Sequence, residues 1–396
     1  MEFSRAALSF FLLLPTAALA DDFDRCVSAL GERAAESGVS QATLDRTLPE
    51  VDEVERVIRA DRAQPEFRES FEEYLNRRVT ETRVMRGREL LREHYRLLHE
   101  VYLRHGVRPE YIVAFWGLET NYGSIFGNLE LLDALATLAC DPRRSDFFSR
   151  EFITALQLHD REVFDALDTP SSWAGAIGHT QFLPSTVQRH AVDFDGDGRI
   201  DLFNSLPDAF ASAARFLKSM GWNDGERWGR EVVVPNGFDW TQSGLGRKQS
   251  VTEWRRMGLE DAFGRRLPIA DMPAELIAPM GHRGPAFLVY DNFHVIMGWN
   301  RSIAYAIAVG HLADRIAGMG GLAADATDGS QRLSIKEVRE LQERLNARGY
   351  ASGEPDGVVG RQTREAIQAF QADAGLPADG YPDQRLLAAL RDSTAN

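Results

Sequence analysis

Cysteine is nearly absent from this chain: two residues, Cys26 and Cys140, in 396 positions. That scarcity excludes a small fold stapled by many disulfides and a cysteine-rich metal fold. In an oxidising compartment the two can form a single disulfide; two buried free thiols are the alternative. Basic charge is also in deficit, with 45 Lys and Arg against 59 Asp and Glu and a formal net charge of −14. A general nucleic-acid binder or a protein that coats anionic membranes is excluded on that balance. Long apolar runs are missing beyond the first twenty residues, so no segment of the mature chain is expected to span a membrane.

Those first twenty residues read as a signal peptide, assigned to residues 1–20. Arg5 supplies the positive start, Ala6 to Leu14 the apolar stretch, and Ala18-Leu19-Ala20 the small-x-small cleavage pattern. No cysteine directly follows the cut, so no lipid attachment is expected there. The remainder predicts a soluble, exported, periplasmic protein.

Beyond residue 20, helical periodicity dominates the chain. Phe71, Tyr74 and Leu75, then Val84, Leu90, Leu91, Tyr95, Leu98 and Val101 mark long amphipathic helices. A further helix runs from Pro109, suited to a first turn, to a stop at Gly123. Others are expected at 129–140, 147–167, 207–220 and after Ser302. Val232-Val233-Val234 and Ala286 to Tyr290 point to short strands within this helical region. A small, polar, aperiodic stretch, 318–331, reads as a linker. Residues 332–393 then form a separate module with a Ser334/Glu337 capping box and three short helices. Its turns Asp356-Gly357 and Asp379-Gly380 are a faint internal echo. Such a tail would tether the larger domain to a surface.

Four stretches carry chemistry. In Phe115-Trp116-Gly117-Leu118-Glu119-Thr120-Asn121-Tyr122-Gly123, Glu119 follows two aromatics by three and four residues and shares their face. Burial and the negative end of the helix dipole both raise a carboxyl pKa. A glutamic acid still protonated near neutral pH can protonate a glycosidic oxygen. In Ser172-Trp173-Ala174-Gly175-Ala176-Ile177-Gly178-His179-Thr180-Gln181-Phe182-Leu183-Pro184, small residues admit a ligand close to the backbone. Ser172 and Gln181 offer uncharged hydrogen bonds suited to sugars, and His179 reads more simply as structural. Asp193, Asp195, Asp197 and Asp201, with the Arg199 carbonyl, match the first nine positions of an EF-hand loop, Gly196 included. Position twelve is Asn204 rather than Glu, so Asp208 is the candidate for the closing carboxylate. A surface turn of Asp-Gly repeats is the alternative. Finally, Tyr290 to Phe293 and Trp299-Asn300-Arg301-Ser302-Ile303-Ala304-Tyr305 interleave rings with amides, as in sugar-stacking surfaces or in an ordinary core.

In that order these stretches resemble the lytic murein transglycosylases of the B type, from about Asp22 to Ala317. The tail resembles a three-helix peptidoglycan-binding module through Asp356-Gly357-Val358-Val359-Gly360, Thr363, Ala366 and Phe370-Gln371. The resemblance implies a mainly α fold: a lysozyme-like catalytic domain (21–317) with small β elements, then the module. It implies Glu119 as the catalytic acid/base, with Ser172, Gln181, Tyr122, Asn300 and Tyr305 lining the saccharide groove. Trp299 stands where some members carry tyrosine and keeps a stacking ring. The implied reaction cuts the MurNAc–GlcNAc bond by closing the MurNAc C6 hydroxyl on C1, leaving a 1,6-anhydro end. No cofactor is required for that chemistry; family members can carry a structural calcium in the Asp-rich loop. Peptidoglycan strands are the expected partner. A muramidase-type hydrolase on the same scaffold and a non-catalytic wall-binding protein are the competing readings.

Overall fold

The computed structural model describes residues 17–63, 69–324 and 333–392. The signal-peptide stretch before residue 17, residues 64–68, the second half of the linker with residue 332 (325–332) and the last four residues lie outside the described residues. The chain divides into two compact units. One combines residues up to 63 with 126–189 and 196–204; the other combines the intervening segments with everything from Ser205 onward.

In the first unit, helix Ala17–Glu36 places Phe23, Val27, Leu30 and Ala34 on one buried face. Their spacing of three to four residues is the helical repeat. Helix Leu131–Cys140 is buried from Leu131 to Ala139 apart from Asp133, which its Leu- and Ala-rich sequence permits. Helix Ser145–Asp160 contributes Phe148, Phe152 and Leu156 to the same interior. This helix ends before the expected residue 167, because Glu162 turns left-handed (φ 57°). Cys26 and Cys140 form the disulfide, joining helix Ala17–Glu36 to the end of helix Leu131–Cys140.

The second unit begins with three helices, Phe71–Arg78, Glu81–Glu93 and Tyr95–His105. They are shorter than the periodicity alone suggests. Ser70 and Thr80 accept backbone N–H groups as N-caps, so each restarts the chain as a new helix. Helix Pro109–Thr120 runs through the core, with Tyr111 to Gly117 all buried. Helices Leu206–Ser219 and Ile303–Ile316 pack in the same core cluster. Gly310 is required where helix Ile303–Ile316 meets Trp228: a Cβ there would lie 2.2 Å from the indole.

Leu129–Glu130 and Pro170–Ser171 pair as a two-stranded antiparallel sheet in the first unit, and five strands of the second unit form a larger antiparallel sheet. Its order is Gln249–Ser250, Pro273–Ile277, Ala286–Val289, Gly229–Val233, Glu260–Asp261. Val232 pairs with Ala286 and Leu276 with Leu288; Ala286–Val289 is buried throughout and Pro273–Ile277 beyond its first residue.

The C-terminal helices Ile335–Ala347, Arg361–Asp373 and Gln384–Asp392 enclose Leu341, Leu345, Ile367, Leu387 and Leu390. The Ser334/Glu337 capping box is formed. The echo in sequence is an echo in structure. Gln342 accepts from the Gly357 amide at 2.9 Å and donates to Asp356 at 3.1 Å. Gln371 does the same to Gly380 (2.8 Å) and Asp379 (2.9 Å). Each turn is thus clasped by one glutamine from a helix. This tail is held against the loops that flank the five-stranded sheet. Gln368, buried, donates to the carbonyls of Trp240 (2.9 Å) and Ser243 (3.3 Å), and Asp379 accepts from the His282 amide at 2.9 Å. Ala378 belongs to the same apolar cluster as Trp240, Trp254 and Leu288.

Candidate active site

Glu119 occupies the last turn of helix Pro109–Thr120 and is half-buried. The helix is made for this position by its sequence. Pro109 opens it, apolar side chains hold it in the core, and Asn121 ends it in the left-handed conformation. Asn121 (φ 48°), Tyr122 (φ 62°) and Gly123 (φ 77°) form a left-handed run immediately after Glu119-Thr120. Such backbone is costly for side-chain-bearing residues and persists only where surroundings over-determine it. Here the Gly123 amide donates to the Thr120 hydroxyl (3.0 Å), and the Tyr122 amide donates to the Trp116 carbonyl (3.1 Å).

The Tyr305 phenol, 4% exposed, donates a hydrogen bond to the Glu119 carboxylate. Burial raises the Tyr305 pKa well above its usual value, and the charge and hydrogen bond of Glu119 push it further. The phenol therefore stays protonated and remains a donor to the carboxylate. Arg78 acts in the opposite direction on the same phenol, and its guanidinium lies 4.9 Å over the Tyr74 ring. Phe115 joins this group to Trp299 (centroids 4.4 Å apart) and Tyr305 (6.3 Å). Asn300 caps helix Asp291–Trp299, and its carbonyl accepts from the Ser302 amide at 2.7 Å. Ser302 in turn caps the helix that carries Tyr305.

Tyr122 is half-buried, its ring packed against Gly117 and Gly87. A Cβ on Gly117 would lie 2.7 Å from it and one on Gly87 2.6 Å from its hydroxyl. That hydroxyl donates to the Arg83 carbonyl at 2.7 Å. Ser172 and Gln181 lie in the first unit, in one tight loop closed by the Ile177–Phe182 bridge. The Ser172 hydroxyl accepts from the amides of Ala174 (3.3 Å) and Ala176 (3.2 Å). Gln181 is left-handed (φ 51°) and donates to the carbonyls of Gly178 (3.2 Å) and Phe126 (3.3 Å). His179 is buried beside Phe126, with ring centroids 4.9 Å apart.

In the Asp-rich loop, carboxylate oxygens of Asp193, Asp195 and Asp197 lie within 4.8 Å of one another, all three residues exposed. The other two carboxylates carry structural duties. Asp201 accepts from the amides of Phe203 (2.9 Å) and Asn204 (2.8 Å), and buried Asp208 accepts from the Phe194 amide at 2.7 Å. Three clustered oxygens suit a hard cation that takes six to eight oxygen ligands. The Arg199 amide donates to Asp197 at 2.8 Å, which folds the loop back upon its own carboxylates.

Sequence reasoning missed Arg78 and Arg83. Both lie in a charge run that reads as a solvated face, and nothing local marks them.

A buried helix thus ends in a half-buried glutamate held by a tyrosine, an arrangement that suits acid/base work on a glycan. The Transglycosylase SLT domain family matches residues 22–314, and the Putative peptidoglycan binding domain family matches 334–390. The chain belongs to the transglycosylase SLT domain family. Over 252 residues it is 33% identical to membrane-bound lytic murein transglycosylase B of Escherichia coli (strain K12), covering 62% of this chain. The chain spans 66% of the length of that relative. It is also similar to SltB3 from Pseudomonas aeruginosa, crystallised in complex with NAG-anhNAM-pentapeptide. There the TM-score is 0.89 at 42% identity, over 93% of this chain and 99% of that one. The Escherichia coli lytic transglycosylase Slt35 in complex with calcium matches with a TM-score of 0.64 and 29% identity, over 74% and 92%.

Proposed function

We propose that this chain is a lytic transglycosylase that cleaves the β-1,4 bond between MurNAc and GlcNAc in peptidoglycan, leaving a 1,6-anhydro-MurNAc end. Glu119 first gives its proton to the glycosidic oxygen. The resulting carboxylate then accepts the proton of the MurNAc C6 hydroxyl as that oxygen closes on C1. One carboxyl group serves twice, so the reaction conserves atoms and adds no water. Tyr305 holds one edge of the carboxyl and steadies the ionised form between the two proton transfers. Ser172, Gln181, Tyr122, Asn300 and Trp299 are assigned to the saccharide. The single observation that carries this reading is the Tyr305–Glu119 hydrogen bond at the end of a buried helix. The likeness to a structure holding an anhydro product supports it.

The protein acts in the periplasm after export, and residues 332–393 bring it to the wall. Asp193, Asp195 and Asp197 would hold a structural calcium, with the Arg199 carbonyl, Asp201 and Asp208 as the remaining protein oxygens. The chemistry uses no metal.

The test is mass spectrometry of muropeptides released from purified sacculi. Wild-type enzyme is expected to give anhydro products, one water lighter than hydrolysed ones. Glu119→Gln is expected to give none while still binding sacculi. Hydrated ends from wild-type enzyme would instead make it a muramidase-type hydrolase, and full activity in Glu119→Gln would remove Glu119 from the reaction.

A further inference from the structure

The reaction as proposed leaves Arg83 without a task, yet this side chain bridges two segments that flank Glu119. It lies in the first turn of helix Glu81–Glu93, half-buried. One guanidinium nitrogen donates to the carbonyls of Arg77 (3.4 Å) and Arg78, the last residues of helix Phe71–Arg78. The other donates to the Asn121 side-chain oxygen at 3.3 Å. Its own carbonyl takes the Tyr122 hydroxyl at 2.7 Å. Arg83 therefore touches both side-chain-bearing members of the left-handed run that begins two residues after Glu119. It also touches the helix end carrying Arg78, whose charge reaches the Tyr305 phenol.

Left-handed backbone at Asn121 and Tyr122 is disfavoured several-fold at each residue unless something outside the turn holds it. Helix geometry then ties that turn to the Glu119 side chain, because the left-handed turn fixes where the last helical turn stops. A planar guanidinium is suited to the bridging task, offering donors in two directions from a rigid frame.

We propose that Arg83 is a positioning residue for the reaction: by clamping the Asn121–Tyr122 turn to the end of helix Phe71–Arg78, it fixes Glu119 against Tyr305. This inference rests on Glu119 being the catalytic acid/base, and it acts through the backbone rather than through the substrate. It accounts for a half-buried arginine that has no carboxylate partner among the described residues.

The experiment compares full-length variants on a soluble glycan fragment, with kcat and KM measured separately and melting temperature recorded. Arg83→Ala is expected to lower kcat roughly 10- to 100-fold while KM stays within about threefold, as for a small misplacement of a catalytic group. Arg83→Lys is expected to recover only part of kcat, since an ammonium lacks the planar fork. The diagnostic variant is Arg83→Ala with Asn121→Gly. Glycine adopts the left-handed conformation without steric cost, so the pair is expected to regain several-fold of the lost kcat, an outcome that lost packing alone would not produce. Wild-type kcat in Arg83→Ala or in Arg83→Lys overturns the inference, as does a double variant no faster than Arg83→Ala. If Arg83→Ala does not fold, a folded Arg83→Lys still decides the question by its kcat. Glu119→Gln run in parallel separates the failures. If it is active, the site assignment falls; if it is inactive while Arg83 variants are fully active, only this inference falls.

Discussion

Two turns in this molecule hold side-chain-bearing residues in left-handed backbone at motif positions, and they are held in different ways. The turn at Asn121–Gly123 is anchored from outside by Arg83, with its own Tyr122 ring set beneath Gly117. The turn at Gly178–Gln181 is largely self-contained. Its Gln181 amide donates to Gly178, its Ile177–Phe182 bridge closes the loop, and its Gly178 Cα faces Leu202 with no room for a Cβ. The first depends on one side chain nearly forty residues upstream; the second depends mainly on glycine and local backbone, with Gln181 also reaching the Phe126 carbonyl. Strain that is clamped by a network can be adjusted by substitution in the network, whereas strain built into a glycine turn can only be broken.

The disulfide tests how far the glycine turn relies on its unit. Cys26 and Cys140 are 114 residues apart in sequence. Replacing both with serine is expected to cost roughly 4 kcal/mol, mainly by freeing the unfolded chain. Denaturant titration with a probe in each unit would show an early transition in the first unit alone. A single unshifted transition would mean that the bridge adds little.

Gly178→Ala strikes the turn itself. With φ at 70° and a Cβ 2.7 Å from Leu202 Cβ and 2.8 Å from its carbonyl, strain and overlap together are expected to cost about 3 kcal/mol. Gly196→Ala, also left-handed but with open space around it, is the control and is expected to cost only about 1 kcal/mol. Equal losses in the two would show that packing at Leu202 is irrelevant.

Acid acts on both units by a different lever. Burial, aided by Arg315, pushes the His311 imidazole down to about 4 in the second unit. Its folded pKa lies below the unfolded value near 6.5, so the unfolded chain binds the proton more readily. The stability is therefore complete above about pH 6.5 and is lost as pH falls towards 4, by up to roughly 3 kcal/mol. His311→Gln is expected to flatten that acid limb in denaturation curves at pH 7.5 and 4.5. His179, inside the glycine turn, is lowered too, by burial, against a hydrogen bond with the Phe203 backbone and the charge of Asp201. An unchanged acid limb in His311→Gln would shift the effect to His179.

Tyr305→Phe asks whether the anchored turn suffices to place Glu119. Loss of the hydrogen bond is expected to lower kcat about tenfold, or ~1.4 kcal/mol. Undiminished kcat would leave the turn as the sole determinant.

The smallest effect is calcium. Binding to the folded state alone raises stability by mass action, about 1 kcal/mol at a few times the dissociation constant. Asp195→Ala with Asp197→Ala is expected to abolish the rise in melting temperature. A calcium titration without any rise, after chelator treatment, would make the loop an ordinary Asp-Gly turn.

Much of the fold is legible one residue at a time. Helix Pro109–Thr120 declares itself by a proline start, an apolar body and a left-handed stop, all local features. The capping box at Ser334 and the helices of the tail are legible for the same reason. Helix Ser145–Asp160 is shorter than its periodicity suggests, because the left-handed Glu162 that ends it carries no glycine to announce it. The first three helices of the second unit read as longer ones, since the capping hydroxyls of Ser70 and Thr80 are inconspicuous within a charged run.

By itself the sequence determined the mainly helical class, the order of the motifs, the glutamate to watch and the pair of cysteines that could meet. Those follow from periodicity, from turn chemistry and from residue identity, which are properties of short windows. Only the tertiary structure decided that Cys26 does meet Cys140, that Tyr305 donates to Glu119 across 186 positions, and that Gln368 and Asp379 bind the tail to the loops around Trp240, Ser243 and His282. Arg83 belongs with these. A guanidinium in a polar run looks solvated until folding brings the carbonyls of one helix and the side chain of another within its reach, and that meeting is a fact of packing rather than of pattern.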